Sequence, residues 1–430
     1  MNLLSWGMYP KIKNKSFLFH NRESLHKLLK SIKECIPYGY GRSYGDSAIA
    51  QNIVYCKPYN YFLEFDEIAG IVHCQSGVLL SEILEVCVPK GWFLKVTPGT
   101  KLITVGGAIA SDIHGKNHHV EGCFSESLHE MSVMLSNGDT VTCKKGDELF
   151  MATCGGMGLT GVILDAKIAL KKINSKNINQ TTIKTKNLKE TFEAFEKYAY
   201  MPYSVAWIDC LAKDENIGRC VLMVGDFADD GDLNFKEKKK LTIPFMFPSF
   251  ALNNLTVKVF NWLYYGKAPN GISQQTVDID TFFYPLDAIN NWNRIYGKGG
   301  FTQYQFILPK EASYEGLQEI LGKIAASGKG SFLAVLKLYG KANENYLSFP
   351  MEGYSLALDF KIEKGLFELL NKLDEIVVKY GGRMYLTKDV RVSQKTFEGG
   401  YPKIDTFRAY RKSSGADQKF HSLQSKRVGL

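Results

Sequence analysis

Thr97-Pro-Gly-Thr-Lys-Leu-Ile-Thr-Val-Gly-Gly-Ala-Ile-Ala-Ser-Asp-Ile-His-Gly-Lys-Asn-His-His119 is the stretch whose reading decides the fold. A Pro-Gly turn opens it and a His-Gly turn closes it, so main-chain N–H groups are left free at both ends. Gly106 and Gly107 remove Cβ where something must approach the backbone. Successive unpaired N–H groups form a concavity for an anion, and a diphosphate is the usual guest. The competing reading is a glycine-rich connection between core elements. Two more glycine-rich stretches favour the first: Ile36-Pro-Tyr-Gly-Tyr-Gly-Arg-Ser-Tyr-Gly-Asp46 and Phe150-Met-Ala-Thr-Cys-Gly-Gly-Met-Gly-Leu-Thr-Gly-Val162. The G-x-G-x-x-x-G spacing of the earlier one departs from the Rossmann G-x-G-x-x-G, and Gly45-Asp46-Ser47 turns away instead of opening a helix.

At 430 residues the chain is long for one core and comfortable for two. Its 45% apolar and 23% charged content is that of an ordinary globular enzyme. Phe and Tyr gather after Pro202, which suits an aromatic-lined pocket or a large core. The net charge of +9 favours an acidic partner, whether phosphate, anionic lipid or nucleic acid. No basic run carries the aromatic interleaving of a nucleic-acid surface, so no nucleic-acid partner is expected. Nine cysteines, an odd number without Cys-x-x-Cys spacing, argue for a reducing compartment and against a disulfide framework or a zinc site. The apolar start of residues 1–15 precedes its basic residues, the reverse of a signal peptide. No segment reaches the about 18 uninterrupted apolar residues of a membrane span, so a cytoplasmic protein is expected.

Along the chain, Ser24–Glu34 and Leu79–Pro89 space their apolar residues as helices, while Ile53–Cys56, Tyr61–Phe65 and Ile71–Gln75 read as strands. Asn137-Gly138-Asp139 is a hairpin turn between strands Ser127–Leu135 and Thr140–Cys143. These elements predict an α+β domain ending near Lys172, with the polar stretch Lys172–Asn187 as a boundary. Beyond it, strand-like runs alternate with the helical runs Leu188–Tyr200, Tyr314–Ala326 and Gly365–Tyr380, predicting an antiparallel sheet with helices on one side. Lys236–Lys240 is basic, and Leu241–Tyr265 is apolar and aromatic but broken by Pro244, Pro248, Asn253 and Asn254. Such a loop suits a lid over a greasy substrate, a patch resting on lipid headgroups, or an irregular segment packed on the core. Arg408–Arg427 carries six Lys or Arg against one Asp, which reads as a solvated face or as a steering field for a phosphate-bearing substrate.

Taken together and in order, the three glycine-rich stretches resemble the FAD domain of the vanillyl-alcohol-oxidase, or PCMH-type, flavoenzymes. The resemblance extends over nearly the whole chain through Phe283-Tyr-Pro-Leu-Asp287, Trp292-Asn-Arg294, Gln303-Tyr-Gln-Phe306, Leu336-Lys-Leu-Tyr-Gly340, Tyr385-Leu-Thr-Lys-Asp389 and Tyr401-Pro402. It implies an α+β FAD-binding domain from residues 1–175 and 383–430, with a substrate domain, 176–382, inserted between. Within the family, the match is to the branch that oxidises C2 of a polyprenyl-phosphoryl-β-D-ribose to the 2-keto sugar. A separate short-chain NAD(P)H-dependent reductase then completes epimerisation to arabinose. The alternative within enzymes is a soluble sugar, alditol or aldonolactone oxidase of the same fold. A flavin-binding electron-transfer protein or membrane-associated scaffold is the other class. Implied partners are a lipid-linked sugar phosphate, that reductase and a peripheral contact with the inner face of a membrane.

The resemblance also assigns residues. Lys388 is expected near the flavin or the reacting hydroxyl, with its pKa lowered by burial; His114 is expected beside the flavin and Tyr304 at the catalytic centre. Gly41, Arg42, Ser43, Tyr44 and Gly45, with Pro98, Gly99, Thr100, Thr104, Gly106, Gly107 and Ala108, would hold the cofactor. So would Asp112, Gly115, Asn117, His118, Gly158, Gly161, Val162, Ile163 and Tyr385. Lys337, Tyr304, Ser355, Ala357 and Lys388 would meet substrate, Lys337 pairing with its phosphate. The Asp-Ile-His-Gly-Lys-Asn-His-His variant resembles the branch that binds FAD non-covalently. A metal site on His114 and His118 is the rival, against which Gly115 and Asn117 favour a loop. Members of the branch carry Asn and Cys where this chain has Ser355 and Ala357, so the pocket floor here is smaller, less polar and without a trappable thiol.

Overall fold

In the computed structural model, which describes residues 2–236, 238, 240–248 and 250–430, the chain builds two layered α+β units. In the first, three parallel strands (Lys15–Leu18, Asn52–Tyr55, Ile36–Tyr38) lie beside a six-stranded antiparallel sheet. That sheet runs Phe62–Asp66, Ile71–Gln75, Val162–Lys172, Leu128–Met134, Thr140–Cys143, and Trp92–Leu94 pairs with the far end of Val162–Lys172. Helix Arg22–Ser31 forms because Asn21 caps it, accepting from Ser24 N, and because Leu25 and Leu29 share one buried face.

The second unit is an eight-stranded sheet, antiparallel throughout: Ile272–Asp278, Asn177–Thr185, Cys220–Phe227, Tyr203–Ile208, Ala334–Tyr339, Gly353–Lys361, Phe301–Pro309, Arg383–Met384. Helices Leu188–Lys197, Ser313–Ser327 and Leu366–Lys379 pack on it. Leu366, Leu369, Leu370, Leu373, Ile376 and Val377 of the last are buried at helical spacing.

Three sequence expectations change. The polar stretch Lys172–Asn187, expected as a boundary, is not irregular: Asn177–Thr185 is an interior strand, paired on both sides, with Gln180 donating to Thr182. Leu241–Tyr265 is not irregular throughout, since Asn254–Lys267 is a helix. The Asn read as a breaker is its cap: Asn253 Oδ1 accepts from Leu255 N and Thr256 N. Glu237, Lys239 and Ser249, within the basic and apolar stretches read there, lie outside the described residues. The Arg408–Arg427 tail is only partly a solvated face. Arg411 is buried, donating to the carbonyls of Leu159 and Phe420, and Arg427 is clamped between two carboxylates. All nine cysteines are buried and unpaired, and no helix of the described residues is long and apolar enough to cross a membrane.

Candidate active site

A cavity of about 770 Å³ lies between the glycine-rich loops and the face of the eight-stranded sheet opposite its helices. Gly39 lets two loops meet: a Cβ there would come within 2.2 Å of Thr104 Oγ1. Thr104 in turn caps the helix Val105–Ala110, accepting from Gly107 N. Among the described residues, the main-chain N–H groups of Gly39 to Ser43, and of Gly99 and Thr100, have no acceptor. They line the cavity; within the 97–119 stretch the free groups are at its Pro-Gly end, since Gly106 N donates to Ser76 O and Gly107 N to Thr104 Oγ1. Arg42 lies over the Trp6 ring at 4.0 Å and donates to Leu102 O.

The Pro98–Lys101 turn is held from the other unit. Asp287 accepts from Thr100 Oγ1 at 2.7 Å and Lys101 N at 2.8 Å. Asp280 pairs with Lys101 Nζ, and Tyr284 OH meets Thr97 Oγ1 at 2.6 Å. Gly45 serves a close approach instead of a ligand: a Cβ there would sit 1.6 Å from the Asp389 carbonyl oxygen, while Tyr44 N donates to Thr387 O. Lys388 is thereby drawn to the glycine loop, its ammonium 3.8 Å from the centre of the Tyr44 ring.

Strand alternation sorts the sheet residues. Gln303 and Gln305, Val335, Lys337 and Tyr339, and Ser355 and Ala357 line the cavity. Tyr304 does not. Its neighbours in the strand face the cavity, so it points to the helices, where its hydroxyl donates to Asp374 Oδ1 at 3.0 Å beside the Arg391–Asp374 ion pair. The expectation that Tyr304 is catalytic and touches substrate is corrected: Tyr304 faces the helices, and Gln303 and Gln305 line the cavity on either side of it.

Gly41, Arg42, Ser43, Tyr44, Pro98, Gly99, Thr100, Thr104, Gly106, Gly107, His114, Gly158, Gly161, Ile163, Lys337, Ser355, Ala357, Tyr385 and Lys388 all line this one cavity. Gly45, Ala108, Asp112, Gly115, Asn117, His118 and Val162 do not, and several are braces. Asp112 accepts from Asn343, Asn345 and Ser348, fastening that loop. Asn117 donates to Lys95 O, and His118 Nδ1 accepts from Gly340 N. Ala108 and Val162 are core. Lining residues without a sequence signal of their own include Ser76, whose hydroxyl is buried without a partner, Lys116, Trp207, Tyr264 and Trp292.

His114 is packed against the rings of Tyr339, Phe349 and Tyr385 and accepts at Nε2 from the Gln305 amide, 3.2 Å away. Its Nδ1 is buried without a partner. Burial, then the nearby Lys337, His118 and Lys388, hold its pKa well below the usual range, so the imidazole is neutral at pH 7. Burial lowers Lys337 to about 8. Burial, with Lys337 adding repulsion, brings Lys116 to about 7. Lys388 is also pulled down by burial, with Asp359 opposing and Lys337 reinforcing the shift. Among the described residues neither Lys337 Nζ nor Lys388 Nζ has a hydrogen-bond acceptor, and both amino groups belong to the cavity lining. A concavity of free N–H groups beside a wall with a neutral histidine and two lysine amino groups without acceptors fits FAD and a phosphate-bearing substrate.

Residues 19–144 match the FAD binding domain family. The chain is 36% identical over 413 residues to decaprenylphosphoryl-β-D-ribose oxidase of Mycolicibacterium smegmatis, covering 92% of this chain and 89% of that one. An uncharacterised Streptomyces coelicolor protein is 27% identical over 82% of this chain and 100% of its own length. The L-gulonolactone oxidase of Scyliorhinus torazame is 29% identical over 30% of each chain.

Proposed function

Because this chain belongs to the family of FAD-binding oxidoreductases that includes decaprenylphosphoryl-β-D-ribose oxidase, we propose that it oxidises C2 of a polyprenyl-phosphoryl-β-D-ribose to the 2-keto sugar. A short-chain NAD(P)H-dependent reductase would then complete epimerisation to arabinose. The single observation that carries this is the cavity itself, which joins a diphosphate cradle to a wall bearing Lys337 and Lys388 without acceptors.

Bound FAD supplies the acceptance of a hydride from the carbinol carbon. The chain's residues do the rest. The free N–H groups of Gly39–Ser43 and Gly99–Thr100, with the neighbouring Arg42, would hold the diphosphate of FAD. Lys388, kept by burial with a neutral amine within reach of pH 7, takes the hydroxyl proton. Lys337 binds the substrate phosphate as a compact cation. Gln303, Gln305 and Ser355 offer hydrogen bonds to the other sugar hydroxyls, and His114 holds the Gln305 amide in place. The buried, ring-packed His114 supports non-covalent FAD. The smaller floor at Ser355 and Ala357 bears on which sugar fits.

The lipid tail has a matching surface. Helix Asn254–Lys267 exposes Leu255, Trp262 and Leu263, and Phe245 and Phe250 precede it. Lys258 and Lys267 flank this patch, while Tyr264 and Thr242 reach the cavity. A basic-edged aromatic helix suits contact with an anionic lipid surface.

Anaerobic flavin bleaching tests the reading. A polyprenyl-phosphoryl ribose should bleach the enzyme and free alditols or aldonolactones should not. Bleaching by the free polyols alone favours the soluble-sugar oxidase, and bleaching by none overturns both.

A further inference from the structure

Residues 3–9 precede the first strand and carry no motif, yet they strap the glycine loop to the second unit. Trp6 N donates to Ser43 O at 2.9 Å and Tyr38 OH to Leu4 O at 2.6 Å, which ties the segment to the glycine-loop side. Phe301 N donates to Gly7 O at 2.9 Å and Asn293 Nδ2 to Trp6 O at 3.1 Å, which ties it to the strand Phe301–Pro309 and the turn Trp292–Tyr296. Gly7 permits the passage, because a Cβ there would lie 2.3 Å from Tyr44 O and 2.4 Å from Phe301 O. Trp6 is thereby held in the cavity lining, edge-on to Trp292 with ring centres 5.6 Å apart.

Arg42 is stacked on that ring. Its guanidinium carbon is 4.0 Å from the centre of the Trp6 ring and 5.0 Å from that of Tyr40, and its Nε donates to Leu102 O at 3.2 Å. Among the described residues its Nη1 and Nη2 have no acceptor, and the side chain lines the cavity. A long cationic side chain gives up rotamer freedom when it grips an anion, and one already stacked between rings gives up less. We propose that Trp6 is a positioning residue for the cofactor, holding Arg42 so that both Nη groups are free for the diphosphate of FAD. The bond from Trp6 N to Ser43 O fixes the main chain whose unpaired N–H groups form the rest of that seat, so one residue braces both parts of it. The proposal rests on the reading of Arg42 as a diphosphate ligand and is independent of which sugar is oxidised.

The test is the rate of FAD release from the loaded chain, followed by flavin fluorescence after dilution, in the native protein, Trp6→Leu, Arg42→Met and the double variant. Trp6→Leu keeps an apolar side chain and the main-chain bonds but presents no aromatic face. It should speed release by about 3- to 30-fold, the span expected for a cation on an aromatic face, and Trp6→Phe should recover most of the loss. In the Arg42→Met background the same change should matter by less than about twofold, because a residue that acts through another gives non-additive effects. Equal acceleration in both backgrounds would mean that Trp6 only shapes the cavity, and it overturns the proposal, as does unchanged release in Trp6→Leu. Unchanged release in Arg42→Met removes Arg42 from the diphosphate and takes the proposal with it, a result that the cycle separates from a failure of Trp6 alone. Trp6→Met takes the place of Trp6→Leu in the cycle if the latter does not fold.

Discussion

Lys388 and Lys337 reach the same cavity from different elements and are held differently. Lys388 lies against the Tyr44 ring; Lys337 stands on its strand without a counter-charge. Replacing Lys388 with Ala should leave FAD bound and slow flavin reduction by about 10²–10⁴-fold, the usual worth of a positioned acid or base. Stopped-flow reduction of the yellow protein checks this, and normal turnover would remove Lys388 from its assigned role. For Lys337 the sign follows from its lowered pKa. It carries its charge below about 8 and loses it above. Affinity for ribose 1-phosphate, measured by calorimetry, should therefore weaken as pH rises through that value, and Lys337→Met should flatten the dependence. Both lysines were named from the sequence, but only through resemblance, because an isolated lysine reads as a surface charge. Tyr304 shows the opposite outcome. The motif Gln303-Tyr-Gln-Phe306 reaches the cavity wall through Gln303 and Gln305 and not through Tyr304, since one position along a strand sends a side chain to the other face.

At the scale of elements, Gly353–Lys361 divides its labour by alternation: Ser355 and Ala357 face the cavity, while Tyr354, Leu356 and Leu358 are fully buried on the helix side. Leu356→Ala should cost about 2–5 kcal/mol of stability, as large-to-small core changes do. It should leave the flavin-reduction rate unchanged in protein that is folded at the assay temperature. Denaturant unfolding paired with kinetics separates the two, and a matching loss in rate would place Leu356 among the residues that shape the cavity. Helices and strands with clean periodicity were legible in advance, Leu366–Lys379 among them. Asn177–Thr185 and Asn254–Lys267 were not, for related reasons. A polar interior strand is stabilised by neighbours on both sides instead of by its own pattern, and an exposed aromatic helix buries little more than Val257 and Asn261.

Over the whole molecule, residues distant in the chain close the site. Arg427 bridges Asp46 at 2.7 Å and Asp389 at 3.0 Å, so the last helix joins the glycine loop to the segment that carries Lys388. Both carboxylates are nearly buried, and removing the cation leaves like charges facing each other. Arg427→Gln should destabilise the protein by about 3–5 kcal/mol and speed FAD release, with Asp46→Asn recovering part of the loss. Thermal unfolding and flavin fluorescence report the two effects, and an unchanged melting temperature would show that the bridge contributes nothing. Taken alone, the amino-acid order determined the α+β class, the glycine-rich turns that line the cavity and the affiliation with FAD-binding oxidoreductases, because these depend on local backbone freedom and contiguous motifs. Which face each strand residue presents, and that Asp287 and Tyr284 lock the Pro98 turn, were decided only by tertiary packing. Those contacts join positions far apart in sequence, and no local periodicity encodes them.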